Sequence, residues 1–362
     1  MIASRTQSNS PYMQFAKLRS GAKYNLAASG IMGYPLSELP VELDKLEING
    51  PTVYGYPPLR VRLAKLNGVA PECVVCATGT SMANHLAFAA ALEPGEEALV
   101  EWPTYELLIT TLQYLGAKVR YFDRRMEDGF RVDPAEVERK IKPETRLIVL
   151  TNLHNPTGAF IDEQTLRDVG DIAKKNNARV LVDEVYLEAM YDERPKPAIH
   201  LGDHFLVTSS LTKAFGLSGL RCGWVLAEPG LAERMCLIND LYGSIAAHTA
   251  ELLSVIALDH LDRVIARARK ILAANRPVLE EFLQSRDDIA CVRPEFGTIA
   301  FPKLLSGDVE ALDRRLREKY DASIAPGNYF GMPQHFRIGI GGDPEMTRQA
   351  FDRLEHALDE LR

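Results

Sequence analysis

Short apolar runs alternate with amphipathic segments between residues 70 and 230. Seven runs rich in β-branched residues predict strands: CVVCAT (73–78), EALVEW (97–102), KVRYFD (118–123), RLIVLTN (146–152), RVLVDEVY (179–186), FLVTSS (205–210) and GWVLA (223–227). Helix start signals lie between them, such as Asp133 before Pro134, and Asp162. Because most of the runs are apolar on both faces and helical segments lie between them, the pattern predicts an α/β domain with a largely parallel sheet between helices.

The pattern changes after residue 240. Helical periodicity marks residues 262–285 and 308–320, and a closing helix is predicted to reach Arg362. Two or three short strands between them indicate a smaller α+β domain. Residues 1–45 show no clear period and are expected to pack with it. The predicted large domain is therefore 46–240, and the predicted small domain combines 1–45 with 241–362.

Composition narrows the class of protein. The chain has 46% hydrophobic and 25% charged residues and a net charge of −7, so we expect no nucleic-acid partner. It has no run of about 18 apolar residues and no signal-peptide pattern at its start, so we expect no membrane partner. Five scattered cysteines favour a reduced, cytoplasmic protein. We expect no metal site, because Cys73 and Cys76 lack a second ligand pair.

The segment SSLTKAFGLSGLRCGW (209–224) carries the strongest chemical signal. Lys213 follows an apolar strand, Ser210 ends that strand, and Arg221 lies in the glycine-rich stretch beyond it. An amine at a sheet end, with hydroxyls and a guanidinium close by, suits Schiff-base chemistry beside a bound dianion. A surface lysine in a turn is the alternative.

Two further strand ends carry polar groups. Asp183 and Tyr186 end the run RVLVDEVY, and Asn155 lies in TNLHNPTG (151–158). Ligands of α/β sheets bind at such carboxyl ends, and a protonated pyridine nitrogen would be a partner for a buried Asp183. A structural ion pair or N-cap is the alternative for Asp183, and a plain turn for Asn155. His154 is interpreted as a turn histidine, with a substrate contact as the alternative.

The order NPTG, then DEVY, then SxxKxFGLxGxRxG resembles that of the class I/II aminotransferases, which are fold-type I enzymes dependent on pyridoxal 5'-phosphate (PLP). The resemblance covers residues 50–240 well and the C-terminal third more loosely. It implies a large domain with a mostly parallel sheet flanked by helices, a smaller α+β domain, and PLP as the cofactor.

The resemblance also implies roles around the pyridine ring. Lys213 would carry PLP as a Schiff base (an aldimine) and shuttle the substrate proton. Asp183 would pair with the ring nitrogen, and Asn155 and Tyr186 would hydrogen-bond the 3-oxygen. Tyr105, in EWPTYELL, would stack on the ring, although alone it is typical of a core tyrosine.

At the phosphate end the resemblance implies Arg221 and Ser210 as ligands. The segment CATGTSMANHLAF (76–88) is similar to the strand, turn and helix that the family places under the phosphate. Thr80 and Ser81 would add hydroxyls and backbone N–H groups at that helix start, which is a natural anion site. Without the other segments it would be a generic helix start.

The resemblance also implies residues that contact the substrate and a residue that contacts the partner subunit. Arg337, in HFRIGIGG, would bind the substrate α-carboxylate, with a rim ion pair as the alternative. Tyr54, in VYGYPPLR, would reach the phosphate of a neighbouring subunit and so implies a homodimer. The stretch 25–40 lacks the family's Gly-x-Pro pattern, and Ser29 and Gly30 are the substrate-binding candidates there, beside Asn155.

Together these features predict an aminotransferase. It would move the amino group of an α-amino acid to a 2-oxo acid by a ping-pong mechanism. A lyase, decarboxylase, cyclase or amino-acid oxidase on the same scaffold is the alternative, since fold alone does not settle the reaction. A non-catalytic ligand-sensing module is a remote alternative. It would need a basic DNA-binding domain, and the roughly fifty residues before the family-like region show no such pattern.

Overall fold

The computed structural model of the chain describes residues 9–361. The strands are β1 Tyr24–Asn25, β2 Val74–Thr78, β3 Glu97–Trp102, β4 Lys118–Asp123, β5 Thr145–Thr151, β6 Arg179–Asp183, β7 Phe205–Ser210, β8 Cys222–Leu226, β9 Ile289–Ala290, β10 Ile299–Ala300, β11 Lys303–Leu304, β12 Ala322–Ser323, β13 Ala325–Pro326 and β14 Phe336–Gly339. The helices are α1 Pro11–Leu18, α2 Pro57–Asn67, α3 Gly79–Ala91, α4 Glu106–Tyr114, α5 Pro134–Lys140, α6 Glu163–Lys175, α7 Pro229–Asn239, α8 His248–Asp259, α9 Leu261–Ser285, α10 Val309–Tyr320 and α11 Pro344–Asp359.

The central sheet has seven strands in the order β2-β8-β7-β6-β5-β3-β4. Strands β4, β3, β5, β6 and β7 are mutually parallel, whereas β8 is antiparallel to both of its neighbours. All seven predicted strands are present, within one to three residues of their predicted ends, and the mostly parallel sheet flanked by helices is confirmed. Strand β8 is antiparallel to β7 because the loop of residues 211–221 joins these neighbouring strands directly, without a crossover helix.

Helices cover both faces of this sheet. On one face α6 buries Leu166, Val169 and Ile172 in the same apolar cluster as the sheet residues Ile148 and Val180. On the other face α3 contributes its apolar side to a second cluster with the alternate residues of the strands. The two predicted helix caps are confirmed. The Asp133 carboxylate accepts a hydrogen bond from the backbone N–H of Ala135, and the Asp162 carboxylate accepts one from the backbone N–H of Thr165.

A third apolar cluster lies among α9, α10, α11 and three small sheets. The strand β1 pairs with β12, which attaches residues 24–25 to the C-terminal part of the chain. The predicted boundaries at 45/46 and 240/241 stay a prediction. The closing helix α11 ends at Asp359, and residues 1–8 and Arg362 lie outside the described residues.

Within residues 9–361, no helix combines the length and the apolar composition that a membrane crossing requires.

Candidate active site

Three parallel strands bring the predicted polar groups to one edge of the sheet. The last residues of β5 and β6 are partners in register, Thr151 with Asp183, and Asp183 is in turn the partner of Thr208 in β7. The loops that leave these strands carry Asn155, Tyr186 and Lys213. The juxtaposition therefore follows from strand order, although the residues are far apart along the chain.

These side chains surround one cavity of about 200 Å³. Its wall is formed by Tyr12, Met13, Ala16, Thr80, Ser81, Asn84, Tyr105, Thr151, Asn155, Asp183, Val185, Tyr186, Thr212, Lys213 and Arg221. A second cavity shares Tyr12 and Lys213 with the first and is lined further by Ser29 and Gly30. Of the predicted cofactor residues, Ser210 and Tyr54 are absent from the wall of the first cavity.

Asp183 is a buried carboxylate at the base of the cavity. One oxygen accepts from Asn84 Nδ2 at 2.9 Å, and the other accepts from the backbone N–H of Val185 at 3.1 Å. Burial raises the pKa of Asp183 from 3.8 to about 6, against the opposing effects of these hydrogen bonds and of the Lys213 charge. The protein alone leaves this charge poorly compensated, which suits a cationic ring nitrogen in the cavity.

Asn84 fixes the orientation of that carboxylate. Its side-chain oxygen accepts from the Thr208 hydroxyl at 2.6 Å, so its amide nitrogen must face Asp183 as a donor. Sequence reasoning missed Asn84. The available signal was its position in α3, one helical turn beyond Thr80, on the face that carries the predicted anion site.

The opposite end of the cavity has the features of a phosphate site. Thr80 donates to Ser210 Oγ at 2.9 Å, and Arg221 lies beside Gly79 at the start of α3. Gly79 has a φ of +76°, and a Cβ there would stand 2.2 Å from Arg221 Nη2. The hydroxyl of Thr212 has no hydrogen-bond partner among the described residues. Donors at a helix start, a guanidinium and an unused hydroxyl fit the phosphate of PLP.

Lys213 contacts the two candidates from the N-terminal segment. Its Nζ donates to Ser29 Oγ at 3.0 Å. A Cβ on Gly30 would lie 3.0 Å from the Lys213 carbonyl oxygen, so the backbone of the segment packs directly on the lysine. The structure thus brings Ser29 and Gly30 to Lys213, while their contact with a substrate stays a prediction.

Arg337 is buried and joined to the wall of the cavity. Its Nη1 donates to Asn155 Oδ1 at 2.9 Å, and its Nη2 donates to the Tyr12 hydroxyl at 2.7 Å. Its Nε has no partner among the described residues. A buried guanidinium with a donor to spare can receive a carboxylate in a bidentate pair.

Tyr54 lies away from this cavity. Its side chain is 40% exposed, and its hydroxyl donates to Asp240 Oδ2 at 3.3 Å. Nothing in a single chain bears on its predicted reach into a neighbouring subunit, which stays a prediction.

His154 does not face the cavity. Its two ring nitrogens pair with Thr157 Oγ1 at 2.7 Å and with the Pro103 carbonyl at 2.8 Å. Burial, together with the Arg124 charge, lowers the pKa of His154 well below its ordinary value, so the ring is neutral. It is the turn histidine that the sequence favoured.

Tyr12 is the main residue that sequence reasoning missed. It lies on α1, is buried, and contacts both Arg337 and the ring of Tyr105, whose centroid is 5.2 Å away. A local signal was present, since Ser10 and Pro11 form a helix start whose capping bond runs from Met13 N–H to Ser10 Oγ.

Comparison with known proteins agrees with this geometry. Residues 44–354 match the family described as "Aminotransferase class I and II". The chain is 32% identical to the capreomycidine synthase of Streptomyces vinaceus, over 90% of this chain and 88% of the relative. It is 28% identical to the arginine–pyruvate transaminase of Pseudomonas aeruginosa, over 97% of this chain and 94% of that relative.

A solved structure extends the comparison to the fold. A PLP-dependent aminotransferase from Streptococcus suis superposes with a TM-score of 0.92 at 25% identity, covering 99% of each chain. Since the family match spans most of the sequence and the cavity suits the cofactor at both ends, this chain is a PLP-dependent enzyme that belongs to the class I and II aminotransferases.

Proposed function

We propose that this enzyme transfers the amino group of an α-amino acid to a 2-oxo acid in two half-reactions. One observation carries the proposal: the Lys213 amine and the buried Asp183 carboxylate line one cavity, and the buried Arg337 guanidinium is hydrogen-bonded to Asn155 in its wall. Bound PLP would supply an electron-withdrawing ring that stabilises negative charge developing at the substrate Cα.

The proposed roles around the ring follow from where the side chains lie. Asp183 holds a proton on the ring nitrogen, because its buried carboxylate is stabilised by a cation there. Asn155 and Tyr186 line the same wall and would donate to the 3-oxygen, and Tyr105, which also lines the cavity, would pack against the ring. These contacts fix the ring so that Lys213 meets the substrate from one side.

The proposed phosphate ligands lie at the other end of the cavity. Arg221 would supply charge, and Thr80 and Ser81 would supply hydroxyls or backbone N–H groups at the start of α3. Ser210, at the end of β7, would add the hydroxyl that accepts from Thr80. Arg337 binds the α-carboxylate through its planar fork, which orients the Cα–H bond. Lys213 Nζ takes the Cα proton and returns it, as a general base and then a general acid.

We further propose a homodimer. Ten of the thirteen exposed large apolar side chains in residues 9–361 lie in 36–61 and 237–245, which we call the apolar patch. The two segments are joined by the hydrogen bond from Tyr54 to Asp240, and Thr249, four residues beyond the second segment, donates to the Glu47 carbonyl. An exposed apolar surface of this kind is typical of a subunit interface. Tyr54 is then placed to reach the partner subunit.

The test is a panel of amino donors with pyruvate and 2-oxoglutarate as acceptors. Without an acceptor, the enzyme should convert bound PLP to pyridoxamine phosphate and release one 2-oxo acid per site. Lys213→Ala should abolish this conversion, and borohydride should leave a pyridoxyl group on the Lys213 peptide of the wild type. Release of ammonia or CO₂ without any pyridoxamine phosphate would contradict the proposal.

A second candidate is another PLP reaction on an amino acid, with the cofactor residues in the same roles. The similarity to capreomycidine synthase favours it, because that relative is named for a synthesis rather than for an amino transfer. The two candidates differ in their products, and the same assay separates them.

A further inference from the structure

The backbone is strained at Tyr191. This residue has φ 53° and ψ −113°, and it lies in the stretch Leu187–Glu193, where two short 3-10 turns meet. These angles match the first central position of a type II′ turn, which glycine dominates because a Cβ crowds the backbone there. Asp321, by contrast, has φ 45° and ψ 41° and lies in the ordinary left-handed region. A tyrosine keeps such a conformation only where the surrounding contacts hold it, and strain of this kind clusters at functional sites.

The Tyr191 side chain contacts the loop that carries Lys213. Its hydroxyl donates to the Ala214 carbonyl oxygen at 2.9 Å, and its ring centroid lies 6.4 Å from that of Phe215. Burial raises the pKa of Tyr191 above its ordinary value, so the hydroxyl stays protonated and remains a donor. Because Ala214 is fully buried, loss of this donor would leave its carbonyl without a partner that water could replace.

The N-terminal segment holds the same loop at neighbouring carbonyls. The backbone N–H of Ile31 donates to the Lys213 carbonyl at 2.8 Å, and that of Tyr34 donates to the Gly216 carbonyl at 2.9 Å. The Tyr191 hydroxyl binds between them, at the residue directly after the lysine. Donors from outside the loop therefore fix the backbone around Lys213, and they fix the point from which its side chain leaves the loop.

The ring of Tyr191 is held from the other side by the C-terminal part of the chain. It packs against the apolar cluster of the central sheet and also against the cluster among α9, α10 and α11. The guanidinium of Arg269, on α9, lies 5.6 Å from the ring centroid and pairs with the neighbouring Asp192 carboxylate. These contacts hold the strained backbone in place. Tyr191 lines neither of the two cavities, so it can act on the chemistry only through the loop.

Resting on the proposed role of Lys213, we propose that Tyr191 is a positioning residue, whose hydroxyl holds the loop where Lys213 Nζ can exchange a proton with the substrate Cα. Tyr191 keeps its own proton throughout, since its hydroxyl is bonded to a backbone carbonyl outside the cavities. A displacement of about 1 Å at a reacting group can lower a rate by about 100-fold. The strained backbone brings the hydroxyl to the loop, which accounts for a tyrosine at a position that favours glycine.

Removal of the hydroxyl alone tests the proposal. Tyr191→Phe holoenzyme is mixed with the best amino donor of the panel, carrying hydrogen or deuterium at Cα, and formation of pyridoxamine phosphate in a single turnover is followed. The rate should fall by about 10-fold or more, while KM for the donor and the affinity for PLP change by no more than about threefold. The deuterium isotope effect should be at least as large as in the wild type. A smaller isotope effect would show that another step is slowed and would overturn the proposal.

Tyr320→Phe is the matched control, because it removes the same atom from a hydrogen bond of similar length. The Tyr320 hydroxyl donates to Glu360 Oε1 at 2.8 Å, at an exposed site near the end of α11. This variant should keep the wild-type rate. Equal losses of rate in Tyr320→Phe and Tyr191→Phe would show a general effect of losing a hydroxyl and would refute the assigned role.

Hydrogen exchange of the cofactor-free protein gives a readout that does not depend on turnover. The amides of Ile31 and Tyr34 donate to the lysine loop, so they should exchange about 10-fold faster in Tyr191→Phe, whereas those of β3 should not change. Unchanged exchange at Ile31 and Tyr34 would refute the proposal. If the wild type forms no pyridoxamine phosphate from any donor, the proposed amino transfer fails, and the exchange experiment still decides whether Tyr191 holds the loop.

Two further variants test the strain itself. Tyr191→Gly and Tyr191→Ala both lose the ring and the hydroxyl, but only glycine adopts the observed angles without crowding. The glycine variant should therefore unfold at a higher urea concentration than the alanine variant, which reverses the usual order of these two residues. An alanine variant that is the more stable of the two would refute the strain on which the proposal depends.

Discussion

Replacing Asp183 by asparagine should stabilise the cofactor-free protein while weakening PLP binding. The substitution keeps the shape of the side chain and removes its charge. Burial raises the pKa of Asp183 from 3.8 to about 6, and this difference corresponds to about 3 kcal/mol of unfavourable burial of the charged form. The neutral amide escapes that cost in the absence of the cofactor.

Part of the gain is offset by a lost hydrogen bond. Asn84 presents its amide nitrogen to Asp183, because its oxygen already accepts from Thr208. An asparagine at 183 can still accept from the Val185 N–H, but its own nitrogen then faces the Asn84 donor. One lost bond costs about 1 kcal/mol, which leaves a net gain of about 2 kcal/mol in the free energy of unfolding at pH 8.

The gain should depend on pH in a defined direction. Because the pKa is raised in the folded state, the folded wild type binds more protons than the unfolded chain between pH 3.8 and about 6. The contribution of the Asp183 carboxyl to the free energy of unfolding is therefore most favourable at low pH, and it is lost as the pH rises from 3.8 to about 6. The advantage of Asp183→Asn should be complete above about pH 7 and should disappear near pH 4.

Urea unfolding of both cofactor-free proteins at pH 8 and pH 4 measures this difference. Asp203→Asn is the control, since the Asp203 side chain is 86% exposed and its loss should change little. Titration with PLP should show an affinity about 10- to 100-fold weaker in Asp183→Asn, because the ring nitrogen loses a charged partner. A cofactor-free Asp183→Asn that is less stable than the wild type at pH 8 would refute the reasoning.

Three other substitutions test other parts of the structure. Gly79→Ala should weaken PLP binding by about 10-fold or more, because its Cβ would displace the Arg221 guanidinium; unchanged affinity would contradict the phosphate site. Glu101→Gln should lower the free energy of unfolding by about 3 kcal/mol, since its arginine partner at 2.7 Å stays fully buried; a change below about 1 kcal/mol would contradict this. Leu241→Asp should yield monomers in sedimentation, whereas Leu305→Asp, which lies outside the apolar patch, should not; a dimeric Leu241→Asp would refute the interface.

The sequence predicts the central sheet because its signals are local. The apolar composition of a run such as RLIVLTN by itself indicates a strand buried on both faces. The helix start at Asp162 depends only on a hydrogen bond to the backbone of Thr165, three residues later. The groups at the strand ends follow, because parallel strands share an edge. Asn155, Asp183 and Lys213 accordingly line one cavity, while their roles stay a prediction.

What the sequence could not predict depends on contacts between distant segments. Tyr12 meets Arg337 across 325 positions, and Asn84 meets Asp183 across 99. Neither contact can be inferred from periodicity, since Tyr12 and Asn84 lie on helices whose partners, Arg337 and Asp183, lie on distant strands. The strand β1 has only two residues, too few for an alternation to be visible.

The proposed cofactor site and two residues that contact Arg337 and Lys213 come from different parts of the chain. The proposed cofactor contacts lie near strand ends and at the start of α3, all within the family match over residues 44–354. Tyr12 and Ser29 precede that match, yet they contact Arg337 and Lys213. A chain can therefore share the cofactor residues of the family and differ in the residues that contact Arg337 and Lys213. On this view, substitutions at Tyr12 should weaken substrate binding through Arg337 more than they weaken PLP binding, and substitutions at Arg221 should do the reverse.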